Sequence, residues 1–304
     1  MRGILKDALK QRNIAFREDV STATLSTFRI GGSAALVIDP CCTGELIEAV
    51  TLCEHWSLPY AVIGLGSNIL FGDQDIETVL IRTSGLDAVK CFPDGRIHAL
   101  CGVSLGRLAC LAAREGLRGL CFAAGIPGSI GGAVFMNAGT HAGEMSNVVE
   151  RVDAFFPKTG EIKTLFNQEL SFSYRKSCFQ SENAVLIAAT LKLIPGADPT
   201  ELFGEMRELG LARKAKQPLD LPSVGSVFRK PSPDIAVSKI IDELGFKGKR
   251  IGGAEVSQKH AGFIVNVGGA TARDVQTLIA EIQNTVEREK GFRPIPEIRF
   301  IPEP

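Results

Sequence analysis

Three glycine-rich segments carry the residues of this sequence that are best suited to bind a ligand through backbone groups. They read "TFRIGGSA" at 27–34, "VIGLGSNILFGD" at 62–73 and "GIPGSIGGAVFMNAG" at 125–139. Glycine lets the backbone adopt positive φ or approach another group closely. The third segment is apolar between its glycines, whereas a flexible linker would be polar. We therefore expect a large flat or anionic group to lie against this backbone.

The middle segment does not match the two common nucleotide-binding fingerprints. Gly64 and Gly66 follow an apolar run, but a dinucleotide fingerprint needs a third glycine where Ile69 stands, and then a helix. No Gly-Lys-Ser/Thr triplet follows any of the three segments, which excludes a P-loop nucleotidase. Backbone N–H groups in such a turn can still bind an anion, with Ser67 and Asn68 as further donors. A tight hairpin turn explains this one segment equally well.

The cysteines and histidines lack the spacing of a metal site. The eight cysteines form no C-x-x-C pair and mostly lie in apolar runs. A disulfide framework is possible by count, but buried thiols in a reducing cytosol are the better interpretation for a chain of this length. The four histidines share no ligand spacing, and a packed side chain explains His260 in "QKHAGF" better than a catalytic base does. We therefore predict a cytoplasmic protein without a metal.

Composition argues against several classes of partner. The 34 basic and 34 acidic residues cancel, which gives no electrostatic reason to expect nucleic acid or a membrane surface. The first 13 residues, "MRGILKDALKQRN", predict a short amphipathic helix rather than a secretory signal, and no apolar run reaches the ~20 residues of a membrane span. We expect small-molecule substrates and no obligate protein partner. An anionic ligand would need a local cluster of positive charge.

Apolar β-branched runs alternate with helical periodicity, which predicts an α+β fold. Before residue 196 we predict helices at 43–56 and 104–116, and strands at 34–39, 60–64, 78–82, 96–102, 148–156 and 184–194. A helix begins at Pro199 after the N-cap Asp198 and runs to about Lys216. A helix at 233–245, a strand at 262–267, a helix at 271–291 and a strand at 296–301 follow. The change in composition predicts two domains, 1–197 and 198–304.

Longer motifs resemble a known family. "IGLGSNIL" and "GLCFAAGIPGSIGGAVFMNAG" resemble the FAD-binding domain of the vanillyl-alcohol-oxidase (PCMH) type. With "FSYRKSCF", "KQPLDLPSVGSVFRKP", "GGAEVSQKHAGFIVNVGGATARDV" and "PIPEIRFIP", they resemble the UDP-N-acetylenolpyruvoylglucosamine reductase family in its shorter, type II form. The similarity runs from about residue 24 to residue 302, with the motifs in order. It implies an FAD-binding domain of that type followed by a smaller α+β substrate-binding domain.

The resemblance implies a two-step redox reaction in peptidoglycan precursor synthesis. NADPH would reduce a non-covalently bound FAD, and the reduced flavin would pass hydride to the enolpyruvyl double bond of a UDP-sugar. All the glycine-rich segments lie before residue 196, so a fragment ending near residue 198 is expected to hold the flavin. The implied cofactor-binding residues are Arg29, Gly64, Gly66, Ser67, Asn68, Gly125, Pro127, Gly128, Ser129, Gly131, Gly132 and Asn137.

The same match implies three catalytic residues. Arg175 in "SYRKS" would face the substrate carboxylate, which the planar guanidinium suits better than lysine would. Ser226 in "SVGSVF" would donate a proton to the α-carbon, and Glu297 in "IPEIRF" would help to stabilise the enol form. Without the resemblance, they would be explained as a surface arginine, a turn serine and a solvent-facing glutamate. The implied substrate-binding residues are Tyr174, Arg213, Arg229 and Lys230.

The sequence departs from the family pattern just after Ser226. The family usually has Phe-Lys-Asn-Pro where this chain has Phe228-Arg229-Lys230-Pro231. Arg229 keeps the cation, but Lys230 replaces the asparagine and adds charge near a diphosphate, so we expect substrate anchoring to differ in detail. Six basic residues of the C-terminal domain could together supply the local positive charge: Arg213, Lys216, Lys230, Lys247, Lys249 and Arg250. For any one of them, a solvated surface charge is an equally good explanation.

Two other classes of function are alternatives on the sequence. A different flavin enzyme on the same FAD-binding domain, such as an oxidase of alcohols or sugars, would release hydrogen peroxide. A non-catalytic nucleotide-binding module would be colourless when purified. The contexts of Ser226 and Glu297 favour the reductase over both.

Overall fold

The computed structural model describes residues 2–232 and 234–302. Helices and strands are mixed along the chain, which confirms the predicted α+β class. The helices are α1 (Arg2–Gln11), α2 (Thr43–His55), α3 (Leu105–Arg114), α4 (Ile130–Phe135), α5 (Pro199–Lys216), α6 (Val237–Glu243) and α7 (Ala272–Lys290). The strands are β1 (Phe16–Ser21), β2 (Ser33–Ile38), β3 (Tyr60–Ile63), β4 (Ile69–Phe71), β5 (Val79–Arg82), β6 (Val89–Cys91), β7 (Arg96–Leu100), β8 (Gly139–Thr140), β9 (Gly143–Glu144), β10 (Val149–Phe156), β11 (Glu161–Phe166), β12 (Val185–Lys192), β13 (Arg250–Ile251), β14 (Ala254–Val256), β15 (Ile264–Asn266) and β16 (Arg299–Ile301).

Most predicted elements lie where the sequence places them, but three are clearly shorter and one helix was not predicted. Of the helix predicted at 233–245, residue 233 lies outside the described residues, and only α6 is helical in the rest. The strand predicted at 262–267 is only β15, and the strand predicted at 296–301 is only β16. Helix α4 lies inside the glycine-rich stretch at 125–139, where we predicted no helix. Glycine lowers helix propensity, but Ser129 caps this short helix: its Oγ accepts a hydrogen bond from Gly132 N–H at 3.4 Å.

The chain divides into two compact units, and neither is continuous in sequence. The first consists of residues 1–18, 36–65 and 78–212. It contains a five-stranded sheet with the order β11-β10-β12-β7-β6, in which β10, β12 and β7 pair antiparallel. Its parallel pairs are β2 with β5 and β3 with β5. Side chains from α3, α4, β10 and β12 share one buried apolar cluster, which fixes the short helix α4 against the sheet.

The second unit consists of residues 19–35, 66–77 and 213–304. Strand β4 pairs in parallel with β16, and β13, β14 and β15 form a three-stranded sheet. Phe28, Ile30 and Leu70 lie in the same buried cluster as the apolar face of α7. Two segments from the first third of the chain are thus part of the core built mainly by the C-terminal residues.

Helix α7 has its ends defined by side chains near and far in sequence. Thr271 and Asp274 form a capping box, and Gly291 ends the helix with φ 75°. The carboxylate of Asp73 also accepts hydrogen bonds from Ala272 N–H at 2.6 Å and Arg273 N–H at 3.0 Å. The sequence indicated only a turn at Asp73, so this second cap was not predicted.

Helix α5 begins at Pro199 as predicted, and Asp198 Oδ1 accepts a hydrogen bond from Thr200 N–H at 2.8 Å. The division of the chain into domains at residue 197 stays a prediction. Among the described residues, no helix combines the length and the apolar character needed to cross a membrane.

Candidate active site

The predicted site residues are distributed over both units. The first unit contains Gly64, Gly125, Pro127, Gly128, Ser129, Gly131, Gly132, Asn137, Tyr174 and Arg175. The second unit contains Arg29, Gly66, Ser67, Asn68, Arg213, Ser226, Arg229, Lys230 and Glu297. The glycine-rich segment at 62–73 is divided between the two units after Leu65.

In the first unit, two of the predicted glycines are explained by packing within the protein. A Cβ on Gly64 would collide with Ser129 Oγ, and a Cβ on Gly131 would lie 2.9 Å from Cys101 Cβ. The backbone of Gly131 also donates to Cys101 O at 2.8 Å. Gly132, by contrast, is exposed, and the nearest atom to its Cβ position is 3.6 Å away. The exposed backbone at Gly125, Pro127 and Gly132 therefore fits the close approach of a flat ligand better than Gly131 does.

Asn137 is fully buried and has left-handed backbone, with φ 42°. Its side chain donates to Glu144 Oε1 and to Ser173 O, each at 3.0 Å, and accepts from Ser146 N–H at 2.9 Å. These bonds join three segments of the first unit, one of which ends directly before Tyr174. The geometry gives Asn137 a supporting role, and its predicted contact with the cofactor stays a prediction.

Arg175 lies at the tip of a tight turn. Ser173 and Lys176 pair with each other through both backbone groups, at 3.0 and 3.1 Å, and Arg175 has φ 57°. A β-turn of type II usually places Gly or Asn at this position, so an arginine there has strained backbone. Two hydrogen bonds stabilise this strained conformation: Arg175 Nη2 donates to Gly139 O at 3.0 Å, and Arg175 O accepts from Gln180 Nε2 at 2.9 Å.

The guanidinium of Arg175 also lies 5.0 Å from the ring centroid of Tyr174, within range of a cation–π contact. Tyr174 is exposed and Arg175 is half-buried. A strained residue that is fixed on several sides commonly marks a functional position. Of the predicted site residues, Arg29 and Asn137 are also non-glycine residues with positive φ.

In the second unit, backbone hydrogen bonds place Ser226 beside Glu297. Val227, the residue after Ser226, donates to Gly262 O at 2.8 Å and accepts from Glu297 N–H at 2.7 Å. Ser226 and Phe263 form an antiparallel bridge, as do Phe228 and Pro296. Ser226 Oγ donates a long hydrogen bond to Phe228 O at 3.4 Å. The two predicted catalytic residues of this unit are therefore on adjoining backbone segments.

Asn68, predicted as a cofactor residue, is bound to the same region. Asn68 Nδ2 donates to Glu297 O at 3.2 Å, and Arg299 N–H donates to Asn68 O at 2.9 Å. Gly66 has φ 64°, and a Cβ there would collide with the carbonyl oxygen of Leu25. The sequence placed both residues in a cofactor loop and gave no sign that Asn68 binds β16.

Four buried polar atoms of the second unit have no hydrogen-bond partner within the described residues: Arg213 Nε, Gln217 Oε1, Arg229 Nε and Glu281 Oε2. Glu281 is in an ion pair with Lys249, which leaves the other three without any partner of that kind among the described residues. Burial also lowers the pKa of the Arg213 guanidinium. Buried guanidinium N–H groups in proteins are almost always paired, and an anion of the substrate would supply a partner. Gln217 was not predicted as a site residue, although it lies in the motif "KQPLDLPSVGSVFRKP". Lys230 is exposed.

Two secondary predictions about side chains have different outcomes. His260 is packed, as predicted: its Nδ1 accepts from Gly262 N–H at 3.1 Å, its ring contacts Phe263 edge-on, and burial lowers its pKa.

The prediction of buried thiols is wrong for Cys41 and Cys42, which are exposed because they precede α2 instead of lying on its apolar face. All eight cysteines are free thiols.

The chain matches two family profiles. A profile for the C-terminal domain of UDP-N-acetylenolpyruvoylglucosamine reductase matches residues 217–301, and one for an FAD binding domain matches residues 34–165. The chain is 41% identical over 298 residues to the UDP-N-acetylenolpyruvoylglucosamine reductase of Caldicellulosiruptor bescii, covering 97% of this chain and 93% of that protein. It is 40% identical over 295 residues to the enzyme of the same name from Lactobacillus delbrueckii subsp. bulgaricus, covering 97% and 98%.

A solved structure shares the fold over nearly the whole chain. The crystal structure of UDP-N-acetylenolpyruvylglucosamine reductase from Thermus caldophilus superposes with a TM-score of 0.79 at 32% sequence identity. The similarity covers 96% of this chain and 99% of that one. An FAD-binding domain followed by a C-terminal domain of this type is therefore the architecture of the chain.

Proposed function

The chain belongs to the UDP-N-acetylenolpyruvoylglucosamine reductase family, and from that premise we propose how its own residues perform the reaction. It is an FAD-dependent oxidoreductase that reduces the enolpyruvyl group of UDP-N-acetylglucosamine enolpyruvate to give UDP-N-acetylmuramate, with NADPH as the hydride donor. When bound, FAD would supply the redox chemistry, which is the transfer of hydride from NADPH to the methylene carbon of the enolpyruvyl group.

Two glycine-rich segments fit the non-covalent binding of FAD. In the first unit, the exposed backbone of Gly125, Pro127 and Gly132 would lie against the flat ring system. In the second unit, the left-handed turn at Gly66, with Ser67 and Asn68, would bind the pyrophosphate through backbone and side-chain donors. The remaining predicted cofactor residues shape these two segments.

Hydride addition to the methylene carbon builds negative charge on the α-carbon and the carboxylate attached to it. Arg175, held at the tip of its turn, would pair with that carboxylate through its planar guanidinium. Glu297 would help to stabilise the enol form, and Ser226 would donate the proton that completes the product. The observation that carries this assignment is the backbone network around Val227, which holds Ser226 and Glu297 on adjoining segments.

Substrate anchoring would rest on the basic residues of the C-terminal segment. The unpaired Nε atoms of Arg213 and Arg229 are suited to the diphosphate and other anionic groups of the UDP-sugar. Lys230 is exposed and would add a second positive charge next to Arg229, and Tyr174 would pack against the sugar. Eight free thiols are typical of a reducing compartment, which supports a cytoplasmic location.

An anaerobic absorption experiment tests the proposed reaction. The purified protein should show the bands of oxidised flavin, NADPH should bleach them, and the enolpyruvyl sugar should restore them without oxygen. Restoration only by oxygen, with release of hydrogen peroxide, would instead indicate an oxidase. A colourless protein that binds no added FAD would exclude flavin chemistry altogether.

A further inference from the structure

A pair of exposed thiols shares no residue with the proposed active site. Cys41 and Cys42 directly precede Thr43, the first residue of α2, and Glu45 lies in the first turn of that helix. The other six cysteines are buried or half-buried. Exposed free thiols are open to oxidation and are generally few on protein surfaces. Packing does not explain two of them side by side.

The side chains of these three residues converge. Cys41 Sγ, Cys42 Sγ and a carboxylate oxygen of Glu45 all lie within 4.8 Å of one another. Cys41 Sγ is 3.1 Å from Glu45 Oε1, while Cys41 N–H donates to Glu45 Oε2 at 2.8 Å. Around a tetrahedral zinc ion, sulfur and oxygen ligands lie roughly 3.6–3.8 Å apart, given bonds of about 2.3 Å and about 2.1 Å. Small side-chain rotations therefore bring the three ligand atoms to one ion.

Helix capping does not account for the thiol at position 42. Cys42 occupies the N-cap position of α2, but its side chain accepts no capping hydrogen bond. Ser, Thr, Asp and Asn are the side chains that stabilise this position, and cysteine is not among them. A thiol that does not cap the helix is available to bind a ligand.

The residues around Cys41, Cys42 and Glu45 fix the backbone of this cluster and offer it no further carboxylate from Asp39. Gly85 packs so closely that a Cβ there would lie 2.5 Å from Pro40 O, which fixes the backbone just before Cys41. The carboxylate of Asp39 is already paired with Arg17 at 2.7 Å and with Arg82 at 2.8 Å. It is therefore not a further ligand.

We propose that Cys41, Cys42 and Glu45 bind one thiophilic divalent cation of the zinc class. Two thiolates and a carboxylate are ligands that zinc accepts, whereas magnesium and calcium prefer oxygen ligands alone. Three protein ligands leave the fourth tetrahedral position to water, so the ion is exchangeable rather than enclosed. The bound ion joins the segment after β2 to the first turn of α2, and it stabilises this part of the first unit by mass action.

Metal titration of the full-length, reduced and metal-free protein tests the proposal. We expect one equivalent of Co²⁺ to produce a sulfur-to-cobalt charge-transfer band in the difference spectrum, and one equivalent of Zn²⁺ to remove it. Cys41→Ser and Cys42→Ser should each weaken Zn²⁺ binding by about 100-fold or more, since even residues that only support metal ligands are worth about 10–100-fold. Glu45→Gln should keep the sulfur band and weaken binding by about 10-fold.

Cys110→Ser is the matched control, because Cys110 is a half-buried thiol on α3 of the same unit. It should leave both the band and the affinity unchanged, and every variant should still bleach with NADPH, which confirms that it is folded. The proposal is overturned if the wild-type protein shows no charge-transfer band with Co²⁺. It is equally overturned if the double variant C41S/C42S binds Zn²⁺ with unchanged affinity, since the ion would then bind elsewhere.

Discussion

Arg175 in the first unit and Ser226 in the second are held in place by different kinds of hydrogen bond. Two backbone bonds between Ser173 and Lys176 close the turn at Arg175. Side chains add further bonds there: Asn137 binds the segment before the turn, and Gln180 binds the carbonyl of Arg175 itself. Around Ser226, the bonds join backbone groups of Val227, Gly262 and Glu297. Substitutions near Arg175 are therefore expected to change structure and reactivity together. Substitutions at Ser226 should change reactivity alone.

The largest expected effect follows from the composition of the second unit. A fragment ending at residue 198 keeps residues 19–35 and 66–77 but lacks β16, Ser223 and Asn266, to which they bind. Gly66, Ser67 and Asn68 then lose the contacts that position them. We therefore predict that this fragment retains no flavin, whereas the sequence alone led us to expect that it would hold the flavin. Flavin absorbance after purification measures this, and a chain shortened only to residue 302 is the control. A soluble fragment 1–198 with a full complement of flavin would contradict the prediction.

Ser226→Ala should separate the two half-reactions. The backbone bonds of Val227 do not involve the serine hydroxyl, so flavin binding and anaerobic bleaching by NADPH should stay close to normal. Reoxidation by the enolpyruvyl sugar should slow by about 10²–10⁴-fold, the usual contribution of a positioned acid. That factor equals roughly 3–5 kcal/mol of barrier. Stopped-flow absorbance measures both steps.

Ser226→Cys is the companion variant, because a thiol can also donate a proton, and it should recover part of the lost rate. If Ser226→Ala slows bleaching by NADPH and leaves reoxidation intact, Ser226 positions the nicotinamide and is not the proton donor.

Asn137 should contribute to the stability of the fold, because its side chain joins three segments of the first unit. Asn137→Ala removes three buried hydrogen bonds and places alanine in left-handed backbone, so it should lower the free energy of unfolding by about 2–4 kcal/mol. Asn137→Gly loses the same bonds without the backbone strain and should be more stable than the alanine variant by about 1 kcal/mol. Urea unfolding followed by circular dichroism checks both. Equal stability of the two variants would show that the strain at this position is negligible.

Arg175→Lys keeps the positive charge and removes the planar fork. The bond from Nη2 to Gly139 O is lost with it, so the side chain is no longer fixed for a carboxylate. A hydrogen bond to a charged group is worth about 1.5–3 kcal/mol, which predicts reoxidation about 10- to 150-fold slower. Lys176→Ala, at the exposed neighbouring position, should leave the rate unchanged. If the flavin of Arg175→Lys is reoxidised at the wild-type rate, a positive charge at this position is sufficient and the planar guanidinium is not needed.

Local patterns in the sequence predicted much of the fold, and distant pairings explain what they missed. Helix α5 begins at a proline that follows a capping aspartate, and α7 has a capping box and an apolar face, so their ends were predicted closely from local sequence. Asp73 caps α7 from 199 residues away, and no local signal indicates that bond. The roles of Ser226 and Glu297 came from resemblance to a family, because neither residue has a distinctive local pattern. The division of residues 62–73 between two units likewise depends on long-range packing.

The smallest expected effect concerns Asp274, which supports the second unit by a backbone contact. Its carboxylate accepts hydrogen bonds from Thr271 N–H at 3.0 Å and Gly253 N–H at 3.3 Å. The bond from the Thr271 N–H is the main reason that the pKa of Asp274 lies below its ordinary value of 3.8. A carboxyl group with a lowered pKa in the folded state contributes stability above its unfolded pKa, and this stability is lost as pH falls through the folded pKa.

Asp274→Asn should therefore lower the free energy of unfolding at pH 7 and make little difference near pH 3. Asp274 is half-buried, and solvent still screens its carboxylate, so the difference at pH 7 should be about 0.5 kcal/mol or less. Urea unfolding of the full chain at both pH values measures it. Asp75→Asn, at an exposed position of the same unit, is the matched control and should show no such dependence. If the wild type and Asp274→Asn differ in stability by the same amount at both pH values, the effect of Asp274 comes from packing and not from its charge.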